Sequence, residues 1–244
     1  MAKPISATPH EPRFNRVAAL IADASRSRML AYLLAGDCAS AGELARAASV
    51  SAATASGHLS RLLDEGFVAC EQRGRHRYYR LADGEIAQAL SALAMVAERG
   101  THESAWARPE RRRLRHARSC YGHLAGELGV TLLQTMLQRD WLCQQGNGFA
   151  LTETGAKGLQ DLGVDDEVLA QATRGGRPMA YGCLDWSERR DHLAGHLAST
   201  LLQHFTAQHW LKREPGERAL AMTPKGKQML GSLLTFDTAT TAKQ

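Results

Sequence analysis

The sequence has little from which a disulfide framework, a membrane span or a familiar enzyme could be built. Its five cysteines, Cys38, Cys70, Cys120, Cys143 and Cys183, are odd in number, widely scattered and free of any C-x-x-C pair. They are expected to be thiols in a reducing cytoplasm rather than bridges. No run approaches the roughly twenty apolar residues of a membrane helix, and Met1 to Pro12 lacks the apolar centre of a signal peptide. A phosphate loop, a dinucleotide fingerprint, a nucleophile elbow and an H-E-x-x-H pair are all missing, which argues against the common enzyme classes they mark. What is present is 244 residues with 44% hydrophobic side chains, enough for the cores of two domains.

The net charge of +5 is unevenly placed: residues 1–118 hold 18 Lys and Arg against 12 Asp and Glu, and residues 119–244 hold 12 against 13. A polyanion partner therefore belongs to the first half. Residues 13–100 read there as one unit. Phe14–Ile21 is a short helix. A second, capped by Asp23 or Ser25, carries the stripe Met29, Leu30, Leu33 and Leu34, and Ser40-Ala-Gly-Glu43 is a capping box for a third. In Ser51 to Glu65, Ser51 caps a helix whose inner face is Ala55, Leu59, Leu62 and Leu63, and Gly66 ends it. Its outer face is made of small residues with one guanidinium, Arg61, and can approach another molecule closely. Phe67–Glu71 and His76–Leu81 form a hairpin around Arg73-Gly74-Arg75, with Arg77 and Arg80 in the second arm. Asp83 caps a last helix through Arg99, whose apolar surface is too wide for a small domain to cover and predicts a partner helix.

The stretches DASRSRMLAYLLAG, SAGELARAASVSAATASGHLSRLLDEGFV and RGRHRYYRLAD resemble the ArsR/SmtB-type winged helix-turn-helix transcriptional regulators, over about the first 100 residues. The resemblance implies a homodimer built on the first and last helices, which sets two recognition helices in successive major grooves of a palindromic double-stranded operator. It matches Ser51, Thr54, Ser56 and His58 to the family's recognition helix, and with Gly57 and Arg61 on the same outer face and the charged wing residues Arg73, Arg75 and Arg77 these are the residues expected to meet DNA. Ala52 and Gly57 stand where the family has longer reading side chains, so specificity is expected to depend more on the wing, DNA shape and helix spacing. The family's metal sites have no counterpart here. Glu43-Leu-Ala-Arg46 replaces the C-x-C, and Asp83-Gly-Glu85 lacks the histidine of the D-x-H.

Residues 101–118 read as a basic linker. Its Ala107–Arg118 stretch holds six arginines and one glutamate, either solvated or a second phosphate contact. Beyond it, residues 119–235 repeat themselves, with copies at about 120–163 and 189–234. His123-Leu-Ala-Gly126, Trp141-Leu142 and Thr152-x-x-Gly155 recur as His192-Leu-Ala-Gly195, Trp210-Leu211 and Thr223-x-x-Gly226, at offsets of 69, 69 and 71 residues. Each copy reads as a helix up to the Trp-Leu pair, a small hairpin and a second helix. The expected fold is thus mainly α with small β-hairpins: an N-terminal winged helix-turn-helix and a C-terminal effector domain of two tandem winged-helix-like repeats.

Candidate effector residues are Cys120, His123, Cys183, Asp185, Trp186 and His192. His123 reads as one helical turn after Cys120, and the 69-residue offset sets Arg189 against Cys120, leaving Cys120 and Cys183 outside the symmetry. Thiolates with imidazoles suit a soft metal, zinc or copper(I). A reactive Cys120 thiol, an organic effector stacked on Trp186 or Trp210 beside Arg189 or Arg190, and simple burial of the cysteines stand as alternatives. The function expected is a dimeric, cytoplasmic repressor without membrane association, whose operator binding responds to an effector at the C-terminal domain. No catalytic residue is assigned; the alternative is an enzyme in the repeat domain, using Cys120 with His123 and tethered to DNA by the winged helix.

Overall fold

The computed structural model of the chain describes residues 12, 14–36, 38–73, 76–99, 107–165, 169, 179–213, 217–231 and 233–234. Helices begin where a short polar side chain can accept from a backbone N–H that has no partner in the first turn. After α1 (Phe14–Ile21), Asp23 accepts from Arg26 N to open α2 (Ala24–Leu33). Ser40 and Glu43 exchange hydrogen bonds in a full capping box to open α3 (Ala41–Ala48), Ser51 opens α4 (Ala52–Asp64), and Asp83 opens α5 (Gly84–Ala97). Strands β2 (Val68–Arg73) and β3 (His76–Leu81) form the wing, and the short β1 (Ala39–Ser40) adds to β3, giving the antiparallel order β1-β3-β2. Met29, Leu30, Leu33, Leu44, Leu59, Leu62, Tyr79 and Leu81 form the core of this unit. The sequence pattern anticipated all of these elements except β1.

The arginine-rich segment is ordered and paired in part, although Arg108, Arg112 and Arg113 stay exposed. Pro109–His116 is a helix, α6, with proline in its first turn, and it is held by ion pairs. Arg111 pairs with Glu98, Arg113 with Glu217, and Arg115 with Glu188 at 2.9 Å. Arg118, the last arginine of the run, is wholly buried in the strand β4 (Arg118–Cys120).

From β4 onwards one order of elements occurs twice. Hairpin β4–β5 (His123–Ala125), α7 (Glu127–Gln138), hairpin β6–β7 (Leu142–Gln145, Gly148–Leu151) and α8 (Glu153–Asp161) make the first set. Hairpin β8–β9 (Tyr181–Leu184, Asp191–Ala194), α9 (His196–Ala207), hairpin β10–β11 (Leu211–Arg213, Leu220–Met222) and α10 (Pro224–Gly231) make the second. The likeness reaches single bonds. Thr152 Oγ1 donates to Asp140 O at 2.6 Å and Thr223 Oγ1 to His209 O at 2.7 Å, while Trp141 N and Trp210 N each donate across the helix end at 2.8 Å. The sets interlock: α7 packs on β9, α9 packs on β5, and their apolar side chains share one core containing Trp141, Phe205 and Trp210.

Two sequence expectations change here. His123-Leu-Ala-Gly126 and its copy are strand ends rather than helix starts, so Cys120 and His123 face each other across a hairpin instead of along a helical turn. The second set opens with β8 at Tyr181, ahead of residue 189, and pairs Cys183 with His192 as Cys120 pairs with His123. The two cysteines are therefore counterparts. Six extra residues in the second hairpin tip hide this from a fixed offset. No helix among the described residues is long and apolar enough to cross a membrane.

Candidate functional site

Helix α4 buries Ala55, Leu59 and Leu62 and leaves Ser51, Thr54, Ser56, Gly57 and Arg61 exposed. Ser51 Oγ takes up Thr54 N and lies 2.8 Å from Thr54 Oγ1, so both hydroxyls sit together at the helix N-terminus. Ser56 Oγ donates back to Ala52 O. His58 departs from this face. Its ring is half-buried, with Nδ1 3.3 Å from Arg26 Nη1 and 3.8 Å from Asp23 Oδ1. On the wing, Arg73 is exposed and pairs with Glu71, while Arg77 donates to Cys70 Sγ and lies over the Tyr79 ring. Arg75 lies outside the described residues. Arg80 turns back to the carbonyls of Leu81 and Ala82, at the base of the wing rather than its tip.

The second candidate site is the Cys/His group between the two sets of elements. Ligand atoms of Cys120, His123, Cys183 and His192 all lie within 4.8 Å of one another. His123 Nδ1 is 3.1 Å from His192 Nε2. Strand pairing explains the convergence: each hairpin sets its cysteine opposite its histidine, and β5 packs on β9. Cys120, His123 and His192 are buried, and Cys183 is nearly so at 8% exposed.

Asp185 organises the surroundings. Oδ1 accepts from Arg118 Nη2 at 2.6 Å, from Ser187 N and Oγ, and from Glu188 N. Oδ2 accepts from Gly126 N at 2.7 Å and faces His192 Nδ1 at 3.1 Å. That contact leaves His192 Nε2 directed at the thiols and at His123. Trp186 is buried against the Arg118 guanidinium, 4.3 Å from it, and Trp210 is stacked on Phe205 in the core. Neither ring offers a free face to an organic effector.

The electrostatics follow from this packing. The neighbouring Cys183 thiol, helped by His192 and against the cost of burial, holds the Cys120 thiol well below its ordinary range. Cys183 is correspondingly pushed up, by the neighbouring Cys120 sulfur and by burial. Burial lowers His123 to about 4, so its imidazole is neutral. Burial also opposes a charged His192, but Asp185 and Cys120 outweigh it and raise the ring. Burial alone would raise Asp185; His192 and Arg118 hold it well below the carboxylate range.

An exposed, hydroxyl-capped second helix of a helix-turn-helix beside a hairpin wing defines a DNA-binding transcriptional regulator. The chain belongs to the HTH-type transcriptional regulators. Residues 21–71 match the helix-turn-helix domain family. The chain is 38% identical over 216 residues to the uncharacterized HTH-type transcriptional regulator YdfF of Bacillus subtilis, which covers 88% of this chain and 94% of that one. Among solved structures, it is similar to the homodimeric winged helix-turn-helix domain Mb0332 of Mycobacterium bovis, a possible ArsR-family regulator (25% identity, 39% of this chain, 98% of that chain, TM-score 0.33). It is also similar to the cadmium metal-sensor CMTR of Mycobacterium tuberculosis (38% identity, 32% of this chain, 81% of that chain, TM-score 0.29).

Proposed function

We propose that the protein is a dimeric repressor that reads a palindromic operator through residues 13–100, joined by 101–118 to an effector-responsive domain, 119–235, of two winged-helix-like repeats. Ser51, Thr54, Ser56, Gly57 and Arg61 enter the major groove, and Arg73, Arg75 and Arg77 contact phosphates beside it. His58 acts through position, fixing α4 to Asp23 and Arg26.

The observation that carries the DNA reading is Gly57. A β-carbon added there would meet nothing within 4 Å, so the fold has no internal use for a glycine that costs a helix about 1 kcal/mol. A surface that must come close to a duplex supplies the missing reason. Gly57→Ala is therefore expected to raise the unfolding free energy by about 0.5–1 kcal/mol while weakening DNA binding. Urea denaturation and fluorescence anisotropy measure the two effects; a variant that is more stable and binds equally well would contradict the assignment.

Support for the dimer comes from the ends of the winged domain. Phe14 and Val17 on α1, and Leu93 and Val96 on α5, are exposed, Phe14 to 73%, and α5 buries only Ala87 and Ser91. These are the two helices on which the family resemblance builds its homodimer. The whole reading is tested by sedimentation together with selection from random duplexes. It expects a dimer and an inverted repeat with half-site centres about 10–10.5 base pairs apart, or a multiple of that. A monomer with no sequence preference would overturn it. Within that framework, Arg77→Ala should weaken binding on all sequences alike and reduce the salt slope by about 1.

A further inference from the structure

We infer that Cys120, His123, Cys183 and His192 form a tetrahedral site for one zinc-class divalent ion per chain, with Asp185 as the outer carboxylate that orients His192. This deepens the effector reading above by naming the ligand class of the C-terminal domain.

Three observations carry it. The first is donor set and spacing. Two sulfurs at about 2.3 Å and two imidazole nitrogens at about 2.0–2.1 Å from a common centre place ligand atoms about 3.3–3.8 Å from one another in a tetrahedron. The four ligand atoms here already gather within 4.8 Å, and the two nitrogens stand at 3.1 Å. The second is the support behind the ligands. A metal-bound histidine usually gives its other ring N–H to a carboxylate, which fixes its tautomer. Asp185 Oδ2 lies 3.1 Å from His192 Nδ1, and Asp185 is itself locked by Arg118, Gly126 and Ser187.

The third is charge balance in a buried place. Cys120, His123 and His192 are at most 5% exposed and Cys183 is 8% exposed. An uncompensated charge there is costly. Two thiols that lose their protons to solvent give two S⁻, and two neutral imidazoles add no charge. A divalent ion then leaves the site neutral, whereas a monovalent copper ion leaves one negative charge. The balance selects zinc over copper(I). Among the described residues this is the group of cysteines, histidines and carboxylates that gathers as metal ligands, and it takes two ligands from each hairpin, so an ion there ties the two sets of elements together.

The test uses the full chain, reduced, stripped with a chelator and titrated with Co²⁺ in the absence of oxygen. One Co²⁺ per chain is expected, with the intense visible absorption of a tetrahedral ion and a thiolate-to-metal band in the near ultraviolet, both removed by one equivalent of Zn²⁺. X-ray absorption of the zinc form should show two sulfurs and two nitrogens, and Cys183→Ser should lower the sulfur count to one. Asp185→Asn should weaken zinc binding about 10- to 100-fold. If Cys183→Ser fails to fold, the wild-type spectrum and ligand count still decide. A weak octahedral cobalt spectrum, an oxygen-only shell, or no stoichiometric binding by the folded chain would overturn the site. No DNA enters these measurements, so failure of the site and failure of the regulator reading are separable.

Discussion

Replacing Asp185 with alanine is expected to cost about 3–5 kcal/mol of unfolding free energy, the range for breaking a buried ion pair from one side. Arg118 and Asp185 are both 0% exposed and meet at 2.6 Å. Without the carboxylate, the guanidinium stays buried with, among the described residues, Leu114 O and Ser187 Oγ as its acceptors and the Trp186 ring against it. Asp185 also accepts from Gly126, Ser187 and Glu188 N–H. Of those donors only Gly126 N is buried, Ser187 and Glu188 being part-buried and open to water, so the buried Gly126 N–H places the loss toward the upper end of that range. Pairing the change with Arg118→Met should therefore recover only part of the loss, because removing the cation leaves the buried Gly126 N–H unanswered. Urea denaturation in excess chelator, so that bound metal does not contribute, measures both variants. A loss below about 1 kcal/mol for Asp185→Ala, the scale of an exposed pair, would show that Asp185 is not the hub of this interface.

The residues of that hub also mark how far the sequence could be read. The winged domain was legible almost element by element, because its signals are local: Asp23, Ser40, Ser51 and Asp83 stand at helix starts, and Gly66 stands at a stop with φ of 72°. The repeat was legible through Trp141, Trp210 and the two Thr-x-x-Gly caps. Its first hairpin was not. Strands β4 and β5 are three residues long each, too short for alternation to register, and His-Leu-Ala-Gly has good helix formers in the middle. The equivalence of Cys120 and Cys183 was hidden by the longer tip of the second hairpin, although each cysteine precedes a His-Leu-Ala-Gly. That tip supplies Asp185 and Trp186. Arg118 was misjudged for the opposite reason: it closes a run of charge, and runs of charge are usually solvated, but its partner lies 67 residues away. His58 sits on the recognition helix by sequence, yet Asp23 and Arg26 draw it inward.

Gly36→Ala is expected to undock the β4–β5 hairpin from the winged domain at a cost of about 2–5 kcal/mol, combining a left-handed backbone for a residue with a β-carbon and an overpacked contact. Gly36 has φ of +89°, and a β-carbon there would lie 2.2 Å from Gly122 N and 2.6 Å from Tyr121 C. Both are backbone atoms of the tight turn Tyr121-Gly122, with φ of 49° and 89°, so no side chain can swing aside. At this seam Tyr121 N donates to Leu34 O at 2.6 Å and Ser119 Oγ donates to Ala35 O at 2.5 Å. Hydrogen exchange at the Tyr121 amide reads the seam directly. Its docked-to-undocked ratio should fall roughly 30-fold to several-thousand-fold, while amides inside α4 keep their protection because Leu44, Leu59 and Leu62 are packed elsewhere. Unchanged protection at Tyr121 would show that the seam yields without strain. The consequence reaches the regulator reading, because the tip of the same hairpin both carries Cys120 and His123 and rests on the turn after α2. Cys120 Sγ also lies 3.8 Å from Ser91 Oγ on α5. A change in how β4–β5 sits against β8–β9 therefore bears on two helices of the DNA-binding domain. With the seam broken by Gly36→Ala, operator affinity should become the same with and without zinc, whereas in the intact chain it should differ, since an effector acts only through arrangements it distinguishes.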